Sequence, residues 1–310
     1  CGKRLSPEIV EIAMIKKDFN ERTRTGMSWE KEISELALRN NLAEKMGGDE
    51  KVARQHEFGK LTIRERLDKI IDPDSFHEVG KLAGVGEYDE NGNLKGFTPS
   101  NYIFGTAEIN GKPIIVSGDD FTVRGGSADA SIAGKRLQAE GLAVELRLPH
   151  IRLVDGMGGG GSVKTIETAG RTYIPRVAGW EVIVGHLGIA PSVSLALGSV
   201  AGIGAARVSS SHYSVIVKDT AQMMIAGPAL VDWANLGDVS KEELGSSKIH
   251  TRNGAIDDEA QSEEEAFVMA RQFLSYLPEN VDQIPSRIPT NDPVDRKEAF
   301  LLEVIPKNPR

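Results

Sequence analysis

The chain is almost without cysteine: Cys1 is the single one in 310 residues. A disulfide framework and a cysteine-held metal site are excluded on that count, and the composition suits a reducing compartment. No apolar run approaches the roughly 18–20 residues of a membrane span, and no apolar secretory core opens the sequence. Aromatic residues make up only 5%, so Leu, Ile, Val and Ala must supply the core. A net charge of -8 and a pI near 5.4 leave no basic field for nonspecific nucleic-acid binding. Together these absences point to a cytoplasmic protein, or a mitochondrial-matrix one in a eukaryote, with neither membrane nor nucleic acid as partner. Cys1 in place of an initiator methionine reads as a processed product or a fragment.

Catalytic side-chain clusters are also scarce. The histidines His56, His77, His150, His186, His212 and His250 are scattered, with no H-x-H or H-E-x-x-H pair, so no protein-bound metal is expected. His150, at the head of a strand leading into a glycine turn, is the one exception worth weighing. Gly125-Gly126-Ser127-Ala128-Asp129 lacks the closing glycine of a nucleophile elbow.

Glycine, by contrast, is abundant, with 33 residues. Two glycine-rich turns each follow an apolar run. The first is Asp155 to Ser162 after Leu148–Val154, and the second is Gly198 to Ala206 after Val193–Leu197. Glycine lets backbone approach a ligand closely. If a helix follows each turn, its first amides have no intrahelical acceptor and present a positive dipole end. Two such turns brought together offer paired N–H groups to an oxyanion or a phosphate. Gly156, Gly158 and Gly161 spell the dinucleotide fingerprint, with Glu181 twenty residues on, but a run of glycines satisfies that pattern by accident. Lys164-Thr165 is displaced from Gly161 by two residues, which breaks a phosphate-loop reading. Arg124, Arg152 and Lys164 are the cations placed to meet a phosphate-bearing or thioester ligand, with surface or salt-bridge roles as the alternative.

Periodicity predicts helices over Pro7–Ile15 and Trp29–Lys45, and a helix Ile63–Ile71 with Thr62 and Glu65 as a capping box. Strand and turn alternation starts near Phe76, with Asn110-Gly111 as a hairpin signal between Thr106–Ile109 and Pro113–Ser117. Residues 87–100 read as a loop. Helices are expected over Ala128–Leu146, Ile166–Leu187, Gly204–Ser211 and Glu263–Leu277, and strands over His150–Val154, Val193–Leu197 and Tyr213–Val217. The pattern is α/β, with helices covering a sheet.

Several segments, in order, resemble the carboxyltransferase (β) subunit of biotin-dependent acyl-CoA carboxylases of the propionyl- and acetyl-CoA type. They are Arg54-Gln55-His56 with Gly59–Phe76, Gly118–Ser127, Ala201–Ala205, Lys218–Thr220, Ala226–Pro228 with Val239–Gly245, and Asp292–Arg296. The resemblance implies a crotonase-like α/β spiral of ββα repeats behind an N-terminal helical arm. The arm is then 1–55, the acyl-CoA carboxyltransferase N-terminal domain 56–280, and a linker 281–310 leads toward a second domain. It implies an acyl-CoA substrate whose thioester enolate is stabilised by backbone amides of Gly158, Gly159 and Gly160 and of Gly202, Ile203 and Gly204. Arg124, Gly125, Gly126, Ser127 and Lys164 are implied as substrate-binding. Biotin rides on a partner, the biotin carboxylase and carrier subunit, in an ATP-dependent holoenzyme. The active site is expected at a subunit interface of a homo-oligomer. The alternatives are a crotonase-type decarboxylase or hydrolase without biotin, or a non-catalytic CoA-binding assembly module. One departure stands out: the family turn reads aspartate–serine–glycine–glycine–alanine–arginine, whereas Asp155–Ser162 is longer and has no arginine.

Overall fold

Strands buried on both faces read as unbroken apolar runs and belong in parallel sheets. The chain places its runs accordingly. The computed structural model describes residues 28–127, 132, 134–156, 170, 179–305 and 307. Helices α1 (Glu30–Glu44), α2 (Asp49–Glu57) and α3 (Ile63–Ile70) come first. Strand β1 (His77–Glu78), the hairpin β2 (Gly84–Tyr88) with β3 (Leu94–Pro99), and the pair β4 (Tyr102–Ile109) and β5 (Lys112–Asp119) follow. Next come α4 (Lys135–Leu146), β6 (His150–Val154), α5 (Trp180–His186), β7 (Ser192–Ala196), β8 (Ser199–Ala201) and α6 (Ile203–Ser209). Then β9 (Tyr213–Val217), β10 (Gln222–Met224), α7 (Pro228–Trp233), α8 (Lys241–Gly245), α9 (Ser247–Asn253), β11 (Asp258–Ala260) and α10 (Glu263–Ser275) complete the body.

Among the described residues the main sheet has the order β1-β4-β5-β6-β7-β9-β11. Its first pairings are antiparallel, through the Asn110-Gly111 turn, and from β5 onward it is parallel. Asn110 and Gly111 both have positive φ, 53° and 71°, the backbone that a tight hairpin turn requires. While β7 pairs with β9, the short β8 pairs in parallel with β10 in a second small sheet. One turn of a spiral thus consists of β7, β8 and α6, and β9 and β10 begin the next turn, stacked on it.

One face of the main sheet is covered by α3 and α10. Ile63, Leu67 and Ile70 meet Ala266, Phe267 and Ala270 in one core with Ile151, Leu153, Val193, Leu195 and Val215. Tyr102, Phe104 and Ala139 form a second cluster beneath α4.

Several elements differ from the sequence reading. Residues 87–100 are not a loop throughout; β2 and β3 pair there, turned by Asp89, whose Oδ1 accepts from the amides of Asn91 and Asn93. Gly84, Gly86 and Gly96 dilute the apolar alternation that marks a strand. On this hairpin rests α1, with the Arg39 guanidinium 5.7 Å from the ring centres of both Tyr88 and Phe97. The helix expected from Ala128 begins at Lys135, after Gly134 in the left-handed region. That expected over Gly204–Ser211 runs Ile203–Ser209. The helix expected over Pro7–Ile15 lies outside the described residues; of that expected over Ile166–Leu187, residues 166–169 and 171–178 lie outside them and the end forms α5, Trp180–His186.

The capping box forms as expected. The Thr62 hydroxyl accepts from the Glu65 amide, and Glu65 accepts from the Thr62 amide at 2.7 Å. Because α3 carries Arg66 into the interior, its first turn also serves the site. Thr62→Ala should lower unfolding stability by about 1 kcal/mol. In urea titration the midpoint should fall with the slope unchanged; an unmoved midpoint would contradict the capping role.

Candidate active site

The parallel strands end side by side and lead into polar or glycine residues within two positions. Asp119 closes β5, Asp155 follows β6, Leu197 and Gly198 follow β7, and Lys218 and Asp219 follow β9. Ligands of open α/β sheets bind outside such carboxyl ends.

At the centre stands Asp155, whose side chain is fully buried. Its carboxylate takes both oxygens to Lys60 Nζ, at 2.8 and 2.9 Å, and accepts from Arg66 at 2.9 Å and Gln55 at 3.2 Å. Arg66 grips Glu263 of α10 through two bonds, at 2.6 and 2.7 Å, and donates to the Leu197 carbonyl at 3.3 Å. Burial alone would ease a proton off Arg66, but the Asp155 and Glu263 charges hold it firmly protonated. A methyl group at Gly198 would overlap the Asp155 carboxylate, so only glycine permits this approach. The Asp155 amide donates to Asp119 at 3.3 Å, and burial pushes the Asp119 carboxyl upward despite Arg136 at 2.9 Å.

Beside this cluster opens a cleft of about 750 Å³. Lys51 and Arg54 of α2, Lys60, Arg124 and Lys241 bring cations to it, against the carboxylates of Asp219 and Glu242. Apolar surface comes from Phe58 and Phe121; the Lys60 ammonium lies 3.9 Å from the Phe121 ring centre and Arg54 5.5 Å from that of Phe58. Ser199, at the start of the second glycine turn, completes one wall with Gln222.

The expected site residues fall as follows. Arg124 and Gly125 line the cleft, while Gly126, Ser127, Gly202, Ile203 and Gly204 stand outside its described lining. Arg124, Gly125 and Gly126 have φ of 53°, 64° and 65°, a left-handed run that packs Gly126 against the Asp155 carbonyl. The Ser127 carbonyl accepts from Asn101 at 2.7 Å. A helix does follow the second turn directly. Gly202, at φ 60° and ψ -118°, precedes it, and its amide donates to the Met224 carbonyl at 3.0 Å. Ile203 and Gly204 are the first two helical residues, whose amides have no intrahelical acceptor. Gly158, Gly159, Gly160 and Lys164 lie outside the described residues.

His150 and Arg152 are not at the cleft. His150 Nε2 meets the Ser117 hydroxyl at 2.8 Å and its Nδ1 meets Glu140 at 3.2 Å. That is the connectivity of a serine–histidine–carboxylate triad. Yet Ser117 and His150 are 0% exposed and Glu140 1%, so no substrate reaches the hydroxyl. Arg152 pairs with Glu140 at 2.7 and 2.9 Å, and Arg207 joins it at 2.6 Å. Against the burial that would raise it, the His150, Arg152 and Arg207 charges hold Glu140 well below the usual carboxylate range. This second network is structural.

Sequence reasoning did not single out Lys51, Gln55, Phe58, Lys60, Phe121 or Lys241 as site residues. Arg54-Gln55-His56 and Gly59-Lys60 fell within a recognised motif, but nothing in spacing alone showed which of them would meet the cleft. His56 is exposed and pairs with Glu65 at 2.9 Å.

Residues 54–310 match the family described as carboxyl transferase domain. The chain belongs to the carboxyl transferase domain family, and its α/β fold is crotonase-like. It is 29% identical over 287 residues to the propionyl-CoA carboxylase carboxyltransferase subunit of Haloferax mediterranei, a match covering 92% of this chain and 54% of that protein. To the propionyl-CoA carboxylase beta chain of Roseobacter denitrificans it is 30% identical, covering 89% and 54%. A solved structure of transcarboxylase 12S, described as a hexamer with hydrolyzed methylmalonyl-coenzyme A bound, superimposes with a TM-score of 0.70 at 26% identity. That likeness covers 91% of this chain and 55% of the other. The chain therefore spans about half the length of the relatives it matches.

The buried histidines set a pH dependence. Burial, reinforced by Arg152, pushes His150 from 6.5 down to about 4 against the pull of Glu140. Burial lowers His186 as well. Between those pH values the unfolded chain takes up a proton that the native His150 refuses, so stability falls as pH drops through this window. His150 accounts for a loss of at most about 3 kcal/mol. Urea midpoints measured from pH 7 to pH 4.5 should fall, and His150→Gln should flatten the trend. A midpoint constant over that range would contradict the assignment.

Proposed function

We propose that this chain is the acyl-CoA-binding part of a biotin-dependent carboxyltransferase, holding a thioester while its α-carbon is carboxylated. The single observation that carries this reading is the cationic cleft at the strand ends, adjoining the second glycine turn. A CoA thioester combines phosphates, an adenine ring and a slender arm ending in a reactive carbonyl. Lys51, Arg54 and Lys241 suit the phosphates, Phe58 and Phe121 offer flat apolar contact, and the left-handed Arg124-Gly125-Gly126 turn allows close backbone approach.

The chemistry follows from main-chain donors. Losing an α-proton shifts charge onto the thioester oxygen, and a preorganised donor there is worth about 3–4 kcal/mol. The Ile203 and Gly204 amides, at the positive end of α6, are the described groups suited to that oxygen. Gly202 is an unfavourable donor because Met224 already occupies its amide. In the full reading Gly158, Gly159 and Gly160 supply the opposing amides, and Lys164 and Ser127 add substrate contacts. Carboxybiotin, brought as co-substrate on a carrier partner, would supply the carboxyl group for the new carbon–carbon bond as its nitrogen–carboxyl bond breaks, and the freed biotin nitrogen would take up the α-proton. This chain binds and polarises, which accounts for the sparse catalytic side chains. A homo-oligomer with the site at a subunit interface completes the proposal.

Calorimetry with a short acyl-CoA tests it. Saturable binding, undisturbed by NADH or ATP, is expected. Arg54→Glu and Lys241→Glu should each weaken it by about tenfold at low salt and less at high salt. Absence of thioester binding, or displacement by NADH, would refute the reading.

A further inference from the structure

We infer that Asp155 is a positioning residue for the thioester site, its carboxylate fixing the strand ends before both glycine turns relative to each other. This inference rests on the proposal that those turns flank the thioester oxygen. The parts it joins are Asp155 and Gly156 on one side and Leu197 and Gly198 on the other.

The links are direct. Arg66 spans the gap, one guanidinium nitrogen on Asp155 at 2.9 Å and another on the Leu197 carbonyl at 3.3 Å. Its planar fork holds a fixed angle between the two acceptors, which a lysine could not. Lys60 takes both Asp155 oxygens, and its ammonium would stand 2.9 Å from a methyl group at Gly198. Gly198 packs so closely on the carboxylate that a side chain there would overlap it. The Asp155 main chain reaches the other way: its carbonyl seats Gly126, and the next residue, Gly156 at φ 102°, packs on the Gly125 carbonyl. One residue therefore connects the Arg124–Gly126 turn, the start of the first glycine turn and the start of the second.

Two of its partners, Lys60 and Gln55, also line the cleft. Gln55 spends both donors inward, on Asp155 at 3.2 Å and on the Leu61 carbonyl at 3.1 Å, and its Oε1 has no partner among the described residues. Lys60 and Gln55 thus turn their donors to Asp155, and the phosphate contacts of the cleft fall to Lys51, Arg54 and Lys241. Asp155 touches no substrate in this account; it acts through the backbone it holds.

A fold-stabilising role and a positioning role separate in binding. CoA alone reports the cleft, whereas a nitroalkyl-CoA, ionised to its nitronate, carries the anionic oxygens of an enolate mimic. Wild type should prefer the nitronate. Asp155→Asn and Gly198→Ala should each erase at least about tenfold of that preference while CoA affinity stays within about twofold. Gly198→Ala removes no charge; its added methyl forces the strand end and the Asp155 carboxylate apart, so it carries the test if Asp155→Asn does not fold. Parallel loss of both affinities, or an intact preference in Gly198→Ala, would overturn the positioning role. Wild type that binds CoA without preferring the nitronate would overturn the reading of the turns, and this inference with it.

Discussion

The Asp155 carboxylate must be neutralised where it sits, and that requirement organises the molecule. A buried charge without a partner costs several kcal/mol, and breaking a buried pair typically costs about 3–5 kcal/mol. Lys60 from the loop before α3, Arg66 from α3 itself and Gln55 from α2 all converge on it. Arg66 then needs Glu263, which draws in α10 from the far end of the chain. Elements nearly 200 residues apart are thereby held against the ends of β6 and β7. Burying ion pairs contributes little net stability compared with an apolar core, which Ile63, Leu67, Val193 and Leu195 already provide. The cluster is better understood as a device for geometry.

That geometry suits catalysis by main chain. Amides are rigid donors only when the backbone that carries them is fixed, and a glycine turn has little intrinsic rigidity. Here glycine at 198 and 126 allows close packing on Asp155, so flexibility of sequence becomes order in the fold. The second ionic network, around Glu140, does the same for the opposite side of the sheet: it ties α4 to β6 and α6 through Arg152 and Arg207. Its Ser117–His150–Glu140 string has the connectivity of a hydrolase triad, and its complete burial removes it from the chemistry.

Much of this was legible beforehand. The short runs at 150–154 and 213–217 are rich in β-branched and apolar residues, and both are strands with those bounds. Thr62 and Glu65 announced their capping box by identity and spacing. The hairpin of β2 and β3 was missed because glycines thinned its alternation. Arg152 was weighed as a ligand contact and proves to be an interior partner of Glu140, since sequence does not reveal which face of a strand a cation takes. The same limit hid Lys60 and Gln55, whose importance lies in meeting a residue about a hundred positions away. Gly202 was expected as a donor, and its amide turned out to be occupied by Met224, a pairing that only the second small sheet creates.

The backbone amides at the start of α6 are proposed to face a thioester bound in the adjoining cationic cleft. Hydrogen exchange with and without a short acyl-CoA tests it directly. Slowed exchange is expected in two separate segments, the amides of Ile203 and Gly204 and the α2 stretch bearing Lys51 and Arg54. Protection of α2 without any change at Ile203 and Gly204 would contradict it, as would protection confined to surfaces away from the strand ends.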